Sequence, residues 1–154
     1  MAWLEGSASR EFEIGADIDE VAAYFANPEK FEHCLDDLET LESVGENQWK
    51  FTLQELSAKG VSFQGEYTVE YHRDDHRVRW ESTGEGNMKS EGYADLEESG
   101  DATRVDYEET ISVELPIPGL MTKVFNPIVS REVRKSVGSM LDCSKETLES
   151  VADG

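Results

Sequence analysis

The chain has 154 residues, with 34 acidic against 14 basic side chains and a formal net charge of −20 at pH 7. Such a field repels DNA, RNA and anionic lipid, and no basic stripe offsets it, so nucleic acid is excluded as a partner. Residues 1–154 read as a single domain long enough to bury ~70% of its unfolded surface, and no run approaches the ~20 apolar residues of a membrane span.

In chain order, Ser9–Ile14 alternates Phe12 and Ile14 against Glu11 and Glu13, a strand. Asp17 is a candidate N-cap for a helix with Ile18, Val21, Ala22 and Phe25 at helical spacing, and Glu20 completes a capping-box pattern. Asn27-Pro28 breaks it, and Pro28 suits the first position of a second short helix running to about Leu35. Leu38–Val44 and Gln48–Leu56 pair across the turn Gly45-Glu46-Asn47.

Val61–Tyr71 is the clearest strand, with Val61, Phe63, Gly65, Tyr67, Val69 and Tyr71 on one face and a bend expected at Gly65. Arg77–Thr83 turns Val78 and Trp80 inward, and Asn87–Glu97 groups Met88, Ser90, Gly92, Ala94 and Leu96. The small residues in that group leave room over the sheet. Thr103–Leu115 places Val105, Tyr107, Glu109, Ile111, Val113 and Leu115 together. From about Leu120 to Ser150 the spacing turns helical, with Val124, Phe125, Ile128, Val129, Val133, Val137, Met140, Leu141, Ser144 and Leu148 on one stripe. Pro127 either starts the regular helix or kinks it.

The expected fold is α+β: a curved antiparallel sheet of about seven strands around a long C-terminal helix, with two short helices after the first strand. Aromatics spaced by two along the strands leave a space between sheet and helix suited to a small apolar ligand.

Glu109 stands out, because the other five residues on its face are all apolar or aromatic. Alternation points its carboxylate into the core or cavity, where it needs a partner or a raised pKa. It is a candidate polar anchor for a ligand hydroxyl or carbonyl, and Glu109→Leu should gain stability by removing a desolvation penalty while losing polar ligands. The alternative is a strand-end acid near a cavity mouth. Phe51, Phe63, Tyr67, Trp80, Met88 and Tyr107 on the strands, with Phe125, Val129 and Val133 on the helix, are the other candidate ligand-binding residues; Trp49 shares a face with Phe51.

No catalytic set, metal site or cofactor motif is expected. His72 and His76 flank a hairpin turn that gives them no shared face, and His33 and Cys34 are helix neighbours that cannot act as base and nucleophile. Asp95, Glu97, Glu98 and Asp101 cluster at a turn without the loop of a dedicated calcium site. Cys34 and Cys143 read as two reduced, packed thiols in a cytoplasm. Met1–Ser9 lacks the regions of a signal peptide, which places the protein in the cytoplasm. The scattered acids read as a solvated surface of a kind suited to high salt, in preference to a docking face for a basic protein partner. A monomer and a dimer fit equally.

The element order resembles the START-like superfamily, also called SRPBCC or polyketide cyclase/dehydrase and lipid-transport proteins. The local cues are Phe25-Ala-Asn-Pro28, Gly100-Asp-Ala-Thr-Arg104-Val and the terminal helix. Phe31-Glu-His-Cys34-Leu, Lys59-Gly60 before Phe63 and Gly65, and Met88-Lys-Ser-Glu-Gly92 resemble the G-type subunit group of carbon monoxide dehydrogenase. The resemblance implies a helix-grip fold with a deep apolar cavity that binds a lipid, quinone or isoprenoid-like ligand. It also implies two alternatives: a cyclase- or dehydratase-like enzyme acting on a polyketide-like substrate, or an accessory protein assembling an oxidoreductase complex. Proteins of that group often carry a further C-terminal segment for membrane attachment. None follows the helix here, so stable membrane insertion is not expected.

Overall fold

The computed structural model describes residues 1–153, with side chains through 151. Nine strands and three α-helices follow one another: β1 (Ala2–Ile14), α1 (Ile18–Phe25), α2 (Pro28–Phe31), β2 (Leu38–Gly45), β3 (Gln48–Leu53), β4 (Leu56–Ala58), β5 (Val61–Phe63), β6 (Glu66–Arg73), β7 (Arg77–Thr83), β8 (Met88–Ser99), β9 (Ala102–Leu115) and α3 (Thr122–Asp153). Single 3-10 turns cover Glu32–Cys34 and Gly119–Met121. Seven strands form one antiparallel sheet in the order β1-β9-β8-β7-β6-β3-β2, and β4 and β5 form a separate ribbon.

The caps act as their residue types dictate. The Asp17 carboxylate accepts from the backbone N–H of Asp19 at 3.2 Å, and Asn27 Oδ1 accepts from that of Glu29 at 3.0 Å. Each satisfies an N–H that the first helical turn leaves free.

Two boundaries differ from expectation. β1 extends back to Ala2, because the whole segment pairs with β9, from Ala2 opposite Leu115 to Ile14 opposite Thr103. Partner pairing made a strand of Ala2–Ala8, whose own alternation is weak. The long strand expected over Val61–Tyr71 is interrupted at Gln64-Gly65. The bare Gly65 leaves room there for Met88, whose Sδ would lie 2.7 Å from a Cβ at this position. The piece before the break folds back on Leu56–Ala58 through Lys59 and Gly60, both at positive φ (51° and 80°).

α3 carries its apolar stripe inward, burying Phe125, Val133, Val137, Met140, Leu141 and Leu148. Its backbone comes closest to β1, where Gly6 leaves space for Val133; a Cβ on Gly6 would lie 3.0 Å from the valine. Polar ties run alongside. Arg10 Nη1 donates to Asp142 Oδ1 at 2.7 Å, and Lys145 Nζ donates to the Glu13 carbonyl and to Glu149. Pro127 is accommodated within α3. No helix among the described residues is long and apolar enough to cross a membrane.

Candidate functional site

A cavity of about 50 Å³ lies where α1, α2 and α3 face the concave side of the sheet. Its wall takes Phe25 from α1, Phe31 from α2, Leu35, Phe51 from β3, Tyr67, Val69 and Tyr71 from β6, Trp80 from β7, Ser90 from β8, Tyr107 and Glu109 from β9, and Met140 from α3. A single water needs ~10–15 Å³ on this measure, so the space admits a few waters. That is far below the ~300 Å³ or more of a typical organic-ligand site.

The expected gap over the small residues of β8 is the reason for the difference. Gly92 pairs with Trp80, and a Cβ there would lie 2.8 Å from the indole ring. The tryptophan occupies the room that the glycine provides. Aromatic rings then tile the wall: Phe51 stacks on Tyr67 at 4.9 Å, and Trp80 lies 5.3 Å from Tyr107 and 6.0 Å from Tyr71.

One polar network crosses this apolar surface. Trp80 Nε1 donates to Ser90 Oγ at 3.2 Å, Ser90 Oγ donates to Glu109 Oε2 at 2.7 Å, and Tyr107 Oη donates to Glu109 Oε1 at 2.7 Å. Ser82 holds Ser90 in place where the ladder between β7 and β8 stops. Its hydroxyl accepts from the Ser90 N–H at 2.8 Å and donates to the Ser90 carbonyl at 3.2 Å. Among the described residues, no lysine, arginine or histidine is in the wall.

Burial therefore raises the Glu109 pKa, and the bonds from Ser90 and Tyr107 offset only part of that. Tyr67, Tyr71 and Tyr107 are likewise held above the usual phenol range, by burial first and by the nearby Glu109 charge second for Tyr67 and Tyr107. All three remain neutral hydroxyls at physiological pH.

Of the candidates singled out from sequence, Phe51, Tyr67, Trp80, Tyr107 and Glu109 are in the wall, whereas Phe63, Met88, Phe125, Val129 and Val133 are not. Phe63 belongs to the separate ribbon, Met88 packs over Gly65, and Val133 seats against Gly6. Among the described residues of α3, only Met140 reaches the cavity. Val69 and Tyr71 share a face with Tyr67, and Ser90 shares one with Gly92, so alternation could have found them. Phe25, Phe31 and Leu35 had no such signal, because only the docking of the short helices aims them inward. Trp49 lies outside the wall, edge-on to Tyr71 at 5.8 Å, and its Nε1–H is a buried donor without an acceptor among the described residues.

The expectation of two reduced thiols is corrected. Cys34 and Cys143 form a disulfide, their Cα atoms 5.6 Å apart across 109 residues of sequence. The short helices and α3 converge at one end of the sheet, which no spacing argument reveals. His33 stands beside the pair, one ligand atom from each of the three residues lying within 4.8 Å of the others. Both sulfurs are bonded to each other, however, so neither offers the thiolate that a metal requires. His72 lies between the Glu81 and Glu70 carboxylates, at 2.8 and 3.6 Å. Asp95 pairs with Arg77 at 3.2 Å.

The family model for CoxG, the G-type subunit of carbon monoxide dehydrogenase, matches residues 11–149. No curated protein sequence matches the chain. Among solved structures, a Thermus thermophilus protein is 24% identical, covering 96% of this chain and 98% of that one with a TM-score of 0.69. A START superfamily protein from Mycobacterium smegmatis is 13% identical over 94% and 98% of the two chains, TM-score 0.69. Norcoclaurine synthase from Thalictrum flavum is 16% identical over 97% and 98%, TM-score 0.59. At these identities the likeness establishes the START-type fold.

Proposed function

The chain belongs to the CoxG family of carbon monoxide dehydrogenase subunits, and from that premise we propose that it binds or carries a small hydrophobic ligand bearing a carbonyl or hydroxyl, such as a lipid, quinone or isoprenoid. In this reading the 154 residues act as one domain. The observation that carries the proposal is the Glu109 carboxyl, set among aromatic rings with Ser90 and Tyr107 as partners and no cation in the described wall.

A count of protons shows what the network offers a ligand. Ionised Glu109 accepts from both Ser90 and Tyr107, and every hydroxyl hydrogen is then used. Protonated Glu109 has one surplus donor, which it aims into the cavity directly or passes on by donating to Tyr107 Oη and freeing that hydroxyl. Trp80 Nε1 already fills one of the two acceptor positions of Ser90 Oγ, whereas Tyr107 Oη accepts no side-chain bond among the described residues. A carbonyl oxygen is the natural acceptor for the surplus donor. An acid–base enzyme would pair two groups with pKa values pushed apart, and the described wall holds one acid and no base, which favours binding over reaction.

Native mass spectrometry of freshly purified protein tests the reading. A stoichiometric apolar compound, retained by the parent and depleted in Glu109→Leu, is the expected result. An empty protein that also fails to take up any quinone, fatty acid or sterol would overturn it.

A further inference from the structure

We propose that the Cys34–Cys143 disulfide is a redox gate on the cavity, closed when oxidised and opened by a dithiol reductant. The inference rests on reading the cavity as a ligand site, and it adds the regulation of that site.

The size of the cavity sets the problem. About 50 Å³ has no room for an isoprenoid tail, so a wall must move before such a ligand enters. The sheet walls are joined by antiparallel ladders from β3 to β9, and where the ladder between β7 and β8 ends at Trp80 and Gly92, Ser82 bonds the Ser90 backbone beyond it. The remaining walls are α1, the long α3, and the short stretch of α2 and its following 3-10 turn, which spans only Pro28–Cys34. That stretch is the part able to swing.

The disulfide joins it to α3 beside the lining residues themselves. Phe31 and Leu35, both in the wall, bracket Cys34, and Met140, a wall residue of α3, lies one helical turn before Cys143. The polar ties to α3 at this end are hydrogen bonds: His33 Nε2 with Thr147 Oγ1 at 2.9 Å from the stretch itself, Ser139 Oγ to Asp36 Oδ2 at 3.3 Å just after it, and Tyr24 Oη of α1 to Ser144 Oγ at 2.9 Å. Water can replace a hydrogen bond during a brief opening, but it cannot replace the covalent one.

Reduction proceeds by thiol–disulfide exchange. A thiolate of the dithiol attacks Cys143 Sγ, because Cys143 is half-buried while Cys34 is buried. The protein S–S bond breaks and Cys34 leaves as a thiolate that takes a proton; Tyr24 Oη stands 3.6 Å from its sulfur. The second thiol of the reductant then displaces Cys143. The protein gains two electrons and two protons, and the dithiol becomes a cyclic disulfide.

The test follows uptake of Nile red, a neutral apolar dye, by stopped-flow fluorescence. Oxidised protein, protein reduced with dithiothreitol, and the Cys34→Ser/Cys143→Ser double variant are compared, with amide hydrogen exchange recorded on each. The expected result is filling at least tenfold slower in the oxidised protein than in the reduced protein and the double variant, with the variant indifferent to reductant. Exchange should quicken over 28–36 on reduction while β8 and β9 stay protected, which separates a local opening from general loosening. Equal filling rates, or exchange rising equally across β9, would overturn the gate while leaving the ligand reading intact. A dye bound by none of the three forms would overturn both.

Discussion

Tyr107 Oη and Glu109 Oε1 are 2.7 Å apart on the inner face of one strand, so two neighbouring inward positions of β9 share a single proton balance. The pair joins the apolar wall to the one acid within it, and the behaviour of that acid with pH follows.

Because the folded pKa of Glu109 is raised, by burial first, the native state holds its proton more tightly than the unfolded chain does. Stability from this group is full below the unfolded value of about 4.3 and is lost as pH rises through the higher folded value. Glu109→Gln has no such loss. Urea denaturation between pH 4 and 8 should therefore show the glutamine variant gaining on the parent as pH rises, then running parallel to it. A pH-independent difference would contradict a raised carboxyl.

The same proton governs binding. Affinity for a carbonyl-bearing quinone should fall as pH rises through the Glu109 transition, and Glu109→Gln, which keeps a donor, should bind with little pH dependence. Isothermal titration at several pH values checks both curves.

Glu109→Leu should destabilise the protein. This reverses the gain in stability expected from sequence: the desolvation penalty disappears, but Ser90 and Tyr107 both lose their acceptor. Each buried group left unpaired costs about 1–3 kcal/mol. Adding Tyr107→Phe should recover part of the loss, which a double-mutant cycle by chemical denaturation measures.

Val133→Asp would set a carboxylate on the buried seat against Gly6. An uncompensated buried charge costs about 3–5 kcal/mol. A melting temperature within a degree of the parent would contradict the docking of α3 on β1.

With a net charge of −20, the melting temperature should climb between low salt and 1 M KCl, as the Debye length shrinks from ~10 Å at 0.1 M to ~3 Å. The ion pairs found are largely exposed and offer little to lose on screening. A flat or falling curve would instead point to an acidic docking face.

Alternation was enough to place Glu109 beside Tyr107 on the inner face, because a two-residue period in β9 has only two solutions. Helical spacing likewise identified the stripe of α3. What a stripe cannot say is which part of it meets which neighbour: Val133 met Gly6 and Met140 met the cavity. The small side chains of β8 were read as open space, yet whether a glycine leaves a void depends on its cross-strand partner, here Trp80. The disulfide was hidden for a similar reason. Its two cysteines are brought together only by the docking of the short helices against α3, a tertiary event without a local signature.

The pairing of β1 with β9 has a consequence for biosynthesis. Within this sheet β1 is made before the other strands, and its partner, residues 102–115, is made after them. Until then Phe12 and Ile14 have no ladder to join, and an unpaired apolar edge invites association with other nascent chains. The glutamates alternating with them, Glu11 and Glu13, keep that waiting segment charged. A chain arrested after Leu115 would pair its strands and still leave Gly6 facing nothing, since Val133 had not been made. The sheet therefore stays open along Gly6 until the segment of α3 that carries Val133 has been made, and up to that point it is an uncovered apolar face.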